Sequence, residues 1–457
     1  MKKSILIAVA ALAAFSARGG DYAAYYKDLP ITLEQPAAPV IPALTVSVTD
    51  FGGVGDGVTL NTEAFKKAIA KLDKQGGGHL NVPAGIWLTG PISFKSRIDL
   101  HVERGAIILF TPDRKEFLSE EGKCKPGISA SKRTDISITG EGIIDGNGEW
   151  WRAVKKDKVS SVEWKDYKRL GGTEADGGKL WYPFNLKHID NIASDMRAQE
   201  KMRTHLIRFT DCERVLIEGV TVQNSPKFHI VPTRCKDVAL LGVTVRCPWN
   251  AQNGDGIDLM FSQRVLVAGC TVDVGDDGIC LKAGGGANAL PQGPVKDVLI
   301  VDNTVFHAHG GFVIGSEFSA GIQNVVVRRN TFSGTDTGLR FKSAPGRGGK
   351  TERIFIEDIV MSDIRDQAIV FETTYVDVPV GTEGKAEVTE QFLPEFTDIS
   401  ITRVTCRDAR IGIKAKGPAS MIHGIRISDS ILFCTEITSE IDDPDQIVLK
   451  NVHLLGY

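Results

Sequence analysis

From about residue 215 the chain recurs in apolar runs of three residues, each followed by a polar pair and a second short apolar run. Val215-Leu216-Ile217, Val238-Ala239-Leu240, Val265-Leu266-Val267, Val298-Leu299-Ile300, Val325-Val326-Val327 and Ile354-Phe355-Ile356 mark the starts, at intervals of roughly 23 to 33 residues. Val, Ile and Thr dominate the runs while Gly, Asn and Asp occupy the corners, so each repeat reads as strands and turns. Repeats of this length bury a continuous core only by stacking on their neighbours. The pattern predicts an all-β solenoid, a right-handed parallel β-helix in which one chain winds through successive coils. The alternative is an antiparallel sandwich with irregular loops, which would need hairpin turn chemistry.

Residues at equal offset from a strand start lie one above another, about 4.8 Å apart as in any sheet. Asp276 and His309 both lie eleven residues after their starts, Val265 and Val298, and are expected to stack. Gly338-Leu339-Arg340-Phe341-Lys342 comes beside Gly278-Ile279-Cys280-Leu281-Lys282. Asp255-Gly256-Ile257-Asp258-Leu259 matches Asp277 to Leu281 once a small insertion around Pro248-Trp249-Asn250 is allowed. One face then carries Asp255, Asp276, Asp277, His309, Arg340 and Lys342.

Upstream, Val48 to Gly57 reads as a strand running into a glycine turn, without the G-K-[ST] ending of a phosphate loop. Asn61 to Leu72 has apolar residues at helical spacing behind a capping Asn61, which predicts a single amphipathic helix covering the first coil. Gly76-Gly77-Gly78 ends it. Pro30 to Pro42 is an extended lead. Between Asp145 and Val215, at about residues 147–205, an aromatic-rich insertion with Trp150, Trp151, Trp164, Trp181 and Tyr182 suits an excursion packed over one face. Its aromatics either anchor it or stack on sugars.

A length of 457 residues, 42% hydrophobic, is ample for a single β-helix domain over 21–457. A net charge of -3 and the lack of a basic run exclude a nucleic-acid partner. Met1-Lys2-Lys3-Ser4 followed by apolar Ile5 to Phe15 has the layout of a secretory signal peptide, here assigned to residues 1–20, with cleavage near Ala17 to Gly20. The run is too short to span a bilayer. The expectation is an exported bacterial protein, periplasmic or extracellular, monomeric and without a membrane partner. The eight cysteines show no metal spacing. Cys212 and Cys235 stand three residues before their strand starts and fall within disulfide reach, as a bridge or as buried free thiols.

Asn253-Gly254-Asp255, Gly275-Asp276-Asp277, His309-Gly310-Gly311 and Arg340-Phe341-Lys342 resemble, in order and spacing, the four motifs of glycoside hydrolase family 28, the pectin-degrading polygalacturonases. Asp50-Phe51-Gly52, Gly55-Asp56-Gly57 and Val82-Pro83-Ala84-Gly85 are similar to that family's opening. The chain departs from the family at Gly254, usually Thr, at Ala308, usually Gly, at Phe341, usually Ile, and at Val231 before Pro232, where His is common after an Asn224-Ser225-Pro226 strand.

The resemblance implies hydrolysis of α-1,4-galacturonosidic bonds with inversion, which requires one carboxylic acid and one carboxylate base. Clustered like charges keep one acid protonated toward neutral pH. By the resemblance that acid is Asp276, with Asp255 and Asp277 holding the water, His309 tuning the acid, and Asn253, Arg340 and Lys342 binding substrate. Two cations beside acids need a further anion, which a uronate carboxylate supplies; otherwise they neutralise the aspartates. No cofactor and no metal is expected, a calcium site being the alternative for such an acid cluster. The excursion Asn147 to Phe184 and a glycine-rich insertion, Gly284 to Gly293, are expected to close one end of the groove and favour cleavage at a chain end. Competing functions are hydrolysis of rhamnogalacturonan or substituted galacturonan, a β-helix pectate lyase with an unsaturated product, and a carbohydrate-binding β-helix without turnover.

Overall fold

The computed structural model describes residues 22–183, 196–375 and 391–456. The expected signal segment lies outside them. Thirty strands form one continuous sheet whose pairings are all parallel, wound as a right-handed β-helix. All six strand starts stack as their spacing requires: Val215 pairs with Val238, Val238 with Val265, Val265 with Val298, Val298 with Val325 and Val325 with Ile354. The ladder extends to Ile136 and Ile98 on one side, and to Ile399, Ile425 and Ile447 on the other. Each central coil holds three strands instead of two. The additional one, for example Ile257–Met260 or Ile279–Lys282, carries the motif residues.

Alternation along each strand decides the core. Val265 and Val267 point inward to the continuous apolar core, while Leu266 and Ala268 point outward. The outward row Ala239, Leu266, Leu299 and Val326 is covered by Tyr22 and Leu33 of the N-terminal lead, which is pinned where Ala37 N donates to Asp237 and Val40 N to Asp135.

Helix α1, Thr62–Lys74, buries Ala64, Phe65, Ala68, Ile69 and Leu72 and covers the first coil. Asn61 precedes it, but its side chain does not cap the helix. It accepts from Val54 N and donates to the carbonyls of Val54, Thr59 and Leu88, tying the preceding loop to the sheet. The expected strand from Val48 is a 3-10 turn, Val48–Phe51, after a strand at Thr45–Ser47. Nor is α1 the single helix, since α2, Ser161–Arg169, and α3, Met196–Met202, belong to the excursion. No helix among the described residues is long and apolar enough to cross a membrane.

Corners between strands are left-handed, and they form charge ladders. Arg97, Asp135, Arg214, Asp237, Arg264, Asp297, Asn324, Arg353 and Asp398, one residue before successive strand starts, all have φ between 53° and 62°. A second column begins with Gly219, Gly242 and Gly269 and continues as Asp302, Arg329, Asp358, Arg403, Asp429 and Asn451. Left-handed backbone is unfavourable for a residue with a Cβ, and cross-coil pairing offsets the strain. Arg264 reaches Asp237 with two bonds of 2.7 and 2.8 Å, and Arg329 reaches Asp302 with 2.7 and 2.9 Å. The eight cysteines are free thiols, and Cys212 and Cys235 sit on neighbouring coils without a bridge.

Candidate active site

Ile257 pairs with Ile279, and Gly256 N donates to Asp277 O at 2.9 Å, so Asp255 lies directly beneath Asp277. His309 N donates to Asp276 O at 2.8 Å, so those two also stack. Arg340 and Lys342 share the register of Cys280 and Lys282 but lie two coils away, with Phe312–Ile314 between. Lys342 still reaches Asp277, because the intervening position is Gly315, which has no side chain to block it. A Cβ there would meet Lys342 O at 1.9 Å.

Asp276 receives Asn253 N on Oδ2 at 3.1 Å and its own chain neighbour Asp277 N on Oδ1 at 2.9 Å; His309 Nδ1 lies 3.1 Å from Oδ1. Asp277 takes Lys342 Nζ at 2.8 and 3.1 Å on its two oxygens, and Arg340 at 3.4 Å on Oδ1. Asp255 is held by Lys282 Nζ at 3.3 Å on Oδ2, while its buried Oδ1 has no hydrogen-bond partner among the described residues. Asn253 presents its backbone to Asp276, and its side-chain oxygen accepts from Arg203 at 2.8 Å. All six expected charged residues and Asn253 are thus in one place. In this arrangement Arg340 and Lys342 neutralise Asp277.

The surroundings push the four carboxyls in opposite directions. Burial, with Asp258 and Asp276 nearby, holds the Asp255 carboxyl well above the ordinary range against the pull of Lys282. Burial pushes Asp258 up to about 6, again opposed by Lys282. At Asp276 burial acts upward but is outweighed by the His309 hydrogen bond and charge and by Lys342 and Lys282, so the group stays below its ordinary value. At Asp277 burial is outweighed by Lys342 and Lys282 in the same way. Burial thus favours the protonated form of Asp255 and Asp258, while the neighbouring cations favour the charged form of Asp276 and Asp277.

Oxygens of Asp255, Asp276 and Asp277 come within 4.8 Å of one another, close enough for one ion. Their donor set fits a cation poorly, because both Asp277 oxygens already bind an ammonium.

The acids line a cavity of about 560 Å³. The insertion at 147–205 supplies Lys155, Lys158, Glu200, Lys201 and Arg203 to its wall, of which only Lys155 and Lys158 belong to the stretch from Asn147 expected to close the groove, and Lys158 Nζ stands 3.1 Å from His309 Nε2. The glycine-rich insertion supplies none; Gly285 lies behind Arg347 and Glu317. A larger, shallower hollow of about 800 Å³ adjoins at Trp249 but contains none of the stacked acids. Trp151, Trp164, Trp181 and Tyr182 are buried, so these aromatics anchor the excursion.

Sequence reading missed Asp258, Lys282, Lys158, Tyr375 and Arg203. Lys282 Nζ lies 2.6 Å from Asp258 Oδ1, and the Tyr375 ring sits 5.0 to 5.5 Å from Arg340, Lys342 and Arg347. The signal for two of them was available: alternation points Asp258 and Lys282 to the same outer face as Arg340 and Lys342.

Residues 170–441 match the model of glycosyl hydrolases family 28. The chain belongs to that family. It is 29% identical over 83% of its length to an exo-poly-alpha-D-galacturonosidase of Dickeya chrysanthemi, and 30% identical over 71% to a probable polygalacturonase of Vitis vinifera. The matches span 64% and 62% of those longer relatives. The crystal structure of a hyperthermoactive exopolygalacturonase from Thermotoga maritima superposes with a TM-score of 0.72 at 30% identity, covering 91% of this chain and 94% of the other. A polygalacturonase from Erwinia carotovora ssp. carotovora has the same fold at 23% identity, with a TM-score of 0.64 and coverage of 93% and 98%.

Proposed function

We propose that this family 28 protein is a glycosidase that hydrolyses α-1,4-galacturonosidic bonds of polygalacturonate or its oligosaccharides from the chain end. The observation that carries the reading is the stack of three carboxylates on adjacent coils beside an excess of cations. Lys155, Lys158, Lys201 and Lys227 line the cavity, and none of them forms an ion pair with a described carboxylate. Uncompensated positive charge in a cleft favours a polyanionic sugar.

In the proposed reaction a water held between Asp255 and Asp277 attacks the anomeric carbon. The bond to the leaving oxygen breaks, Asp276 gives that oxygen a proton, and Asp255 Oδ1 takes one from the water. Asp276 acquires its proton when substrate arrives. The sugar carboxylate engages the cations that keep Asp276 ionised and displaces water, which raises its proton affinity, so Asp276 takes up a proton from solvent while it stays hydrogen-bonded to His309 Nδ1. Arg340, Lys342 and Asn253 are assigned to substrate binding.

Attack from one side and departure on the other gives inversion. The oxygens approach within 4.8 Å, whereas the usual inverting pair stands about 6.5 to 9.5 Å apart, so the anomer must be measured. Proton NMR of the first product is expected to show the inverted anomer. Retention would replace direct attack with a covalent intermediate, and an unsaturated product absorbing in the ultraviolet would indicate a lyase.

Chain-end attack is supported by the excursion's five wall residues and by the names of relatives in both comparisons. Viscosity should fall slowly while one small product accumulates. A steep early drop would mean internal cleavage. The N-terminal segment is proposed to direct export as a cleaved signal, checked by N-terminal sequencing of the secreted protein.

A further inference from the structure

Three carboxylates share the catalytic stack, yet their partners differ. Asp276 has His309 and two backbone amides, and Asp277 has Lys342 and Arg340. Asp255 has Lys282 alone: among the described residues no other group donates to its carboxylate, and its buried Oδ1 has no partner. The same ammonium lies 3.8 Å from Asp277 Oδ2, so it spans the two acids between which the water is placed.

Lys282 is itself held from below. Asp258 Oδ1 accepts from Nζ at 2.6 Å, and Cys280 Sγ lies 3.0 Å away. Asp258 is fully buried on the strand beneath Lys282 and is not among the residues lining the cavity, so it cannot touch a sugar. A buried carboxylate bound to a buried ammonium is an expensive arrangement for stability alone. Its geometry makes sense if the ammonium must be kept in one place.

We propose that Lys282, anchored by Asp258, is a positioning residue that opposes the effect of burial by favouring the charged form of Asp255 and turns its Oδ1 toward the attacking water. The inference rests on the assignment of Asp255 as base under the proposed function. Charged and titratable groups facing Asp255 are Asp258, Asp276, Asp277, Lys282, Lys227 and Cys247. Lys282 is the cation in direct contact, so its removal leaves a base surrounded by acids.

The experiment is the pH profile of kcat/KM on oligogalacturonides for the wild type, Lys282→Met, Lys282→Arg and Asp258→Asn, with Tm measured alongside. Lys282→Met is expected to lower kcat by about 10² or more, the scale of acid–base catalysis. Its acidic limb should move up by about one pH unit or more, because a base with a raised pKa ionises later, while KM changes little. Lys282→Arg should keep the limb near its original position. Asp258→Asn should move it in the same direction as Lys282→Met but less, and it serves as the test if Lys282→Met fails to fold. A raised KM with an unmoved limb would make Lys282 a substrate contact and overturn the proposal. So would a lowered Tm with kcat and limb unchanged. A wild type inactive on every galacturonide would instead sink the proposed function.

Discussion

The corner ladders and the carboxylate stack are built by the same operation, repetition of a charged residue at one register, and they come out opposite. Along the corners adjacent charged residues carry opposite signs, so Asp358 meets Arg403 at 2.6 Å and Asp302 meets Arg329 at 2.7 Å, half exposed to water. In the stack Asp255 lies under Asp277, like on like, and both are buried. The corner pattern minimises Coulomb energy, whereas the stack concentrates it and needs Lys282, Lys342 and Arg340 brought in from neighbouring strands to hold it together.

Replacing Asp276 by Asn should abolish most activity. General acid catalysis alone is worth about 10² to 10⁴ in rate; because both Asp276 oxygens accept backbone N–H donors and only one oxygen remains in the amide, Tm should fall as well, so activity is read below the variant's Tm. A variant retaining more than a tenth of wild-type turnover would remove Asp276 from the role of acid.

Lys342→Ala tests the compensation directly. It strips Asp277 of its closest cation, and breaking a buried pair costs about 3 kcal/mol, read as a lower urea midpoint. Adding Asp277→Asn should restore part of that stability without restoring activity. If the double variant is no more stable than the single one, the charge of Asp277 is not what Lys342 offsets.

Asp255→Asn should raise Tm at pH 7, at the expense of turnover. The folded carboxyl has a raised pKa, so its ionisation destabilises the fold once pH exceeds the unfolded value, about 3.9. At pH 3.5 the wild-type group is already protonated in the fold, and the gain should vanish. An equal gain at both pH values would point to packing instead of charge.

The smallest effect belongs to the corners. Asp358→Asn keeps a residue that tolerates left-handed backbone and removes one partly exposed ion pair, at a cost of about 0 to 1 kcal/mol, with activity unchanged and the loss reduced by salt. Arg403 holds the Asp358 pKa below its ordinary value. Its stabilisation is therefore present above the unfolded pKa and fades as pH falls. A loss larger than that of Lys342→Ala would erase the distinction between the two regions.

Coil register was readable from one sequence because a parallel solenoid turns equal offset into adjacency. Six strand starts, Asp255 under Asp277, and Asp276 beside His309 follow from counting alone. The third strand of each coil was hidden, since Ile257–Met260 and Ile279–Lys282 are short and carry Asp, Cys and Lys on their outer side. The same polar outer row concealed Asp258 and Lys282 as members of the site.

Amino-acid order alone determined the β-helix, its register, the capping helix α1 and the family, because each depends on residues related by a repeat. Tertiary structure decided what fills the space above the stack. Lys158 reaches His309 across a separation of 151 residues, four of the excursion's five named aromatics turn inward to anchor it while Trp150 stays exposed, and the glycine-rich insertion stays clear of the cavity. It also decided the charges. Which aspartate keeps its proton is set by burial and by cations a few ångströms away on other coils, and those distances exist only once the chain has wound.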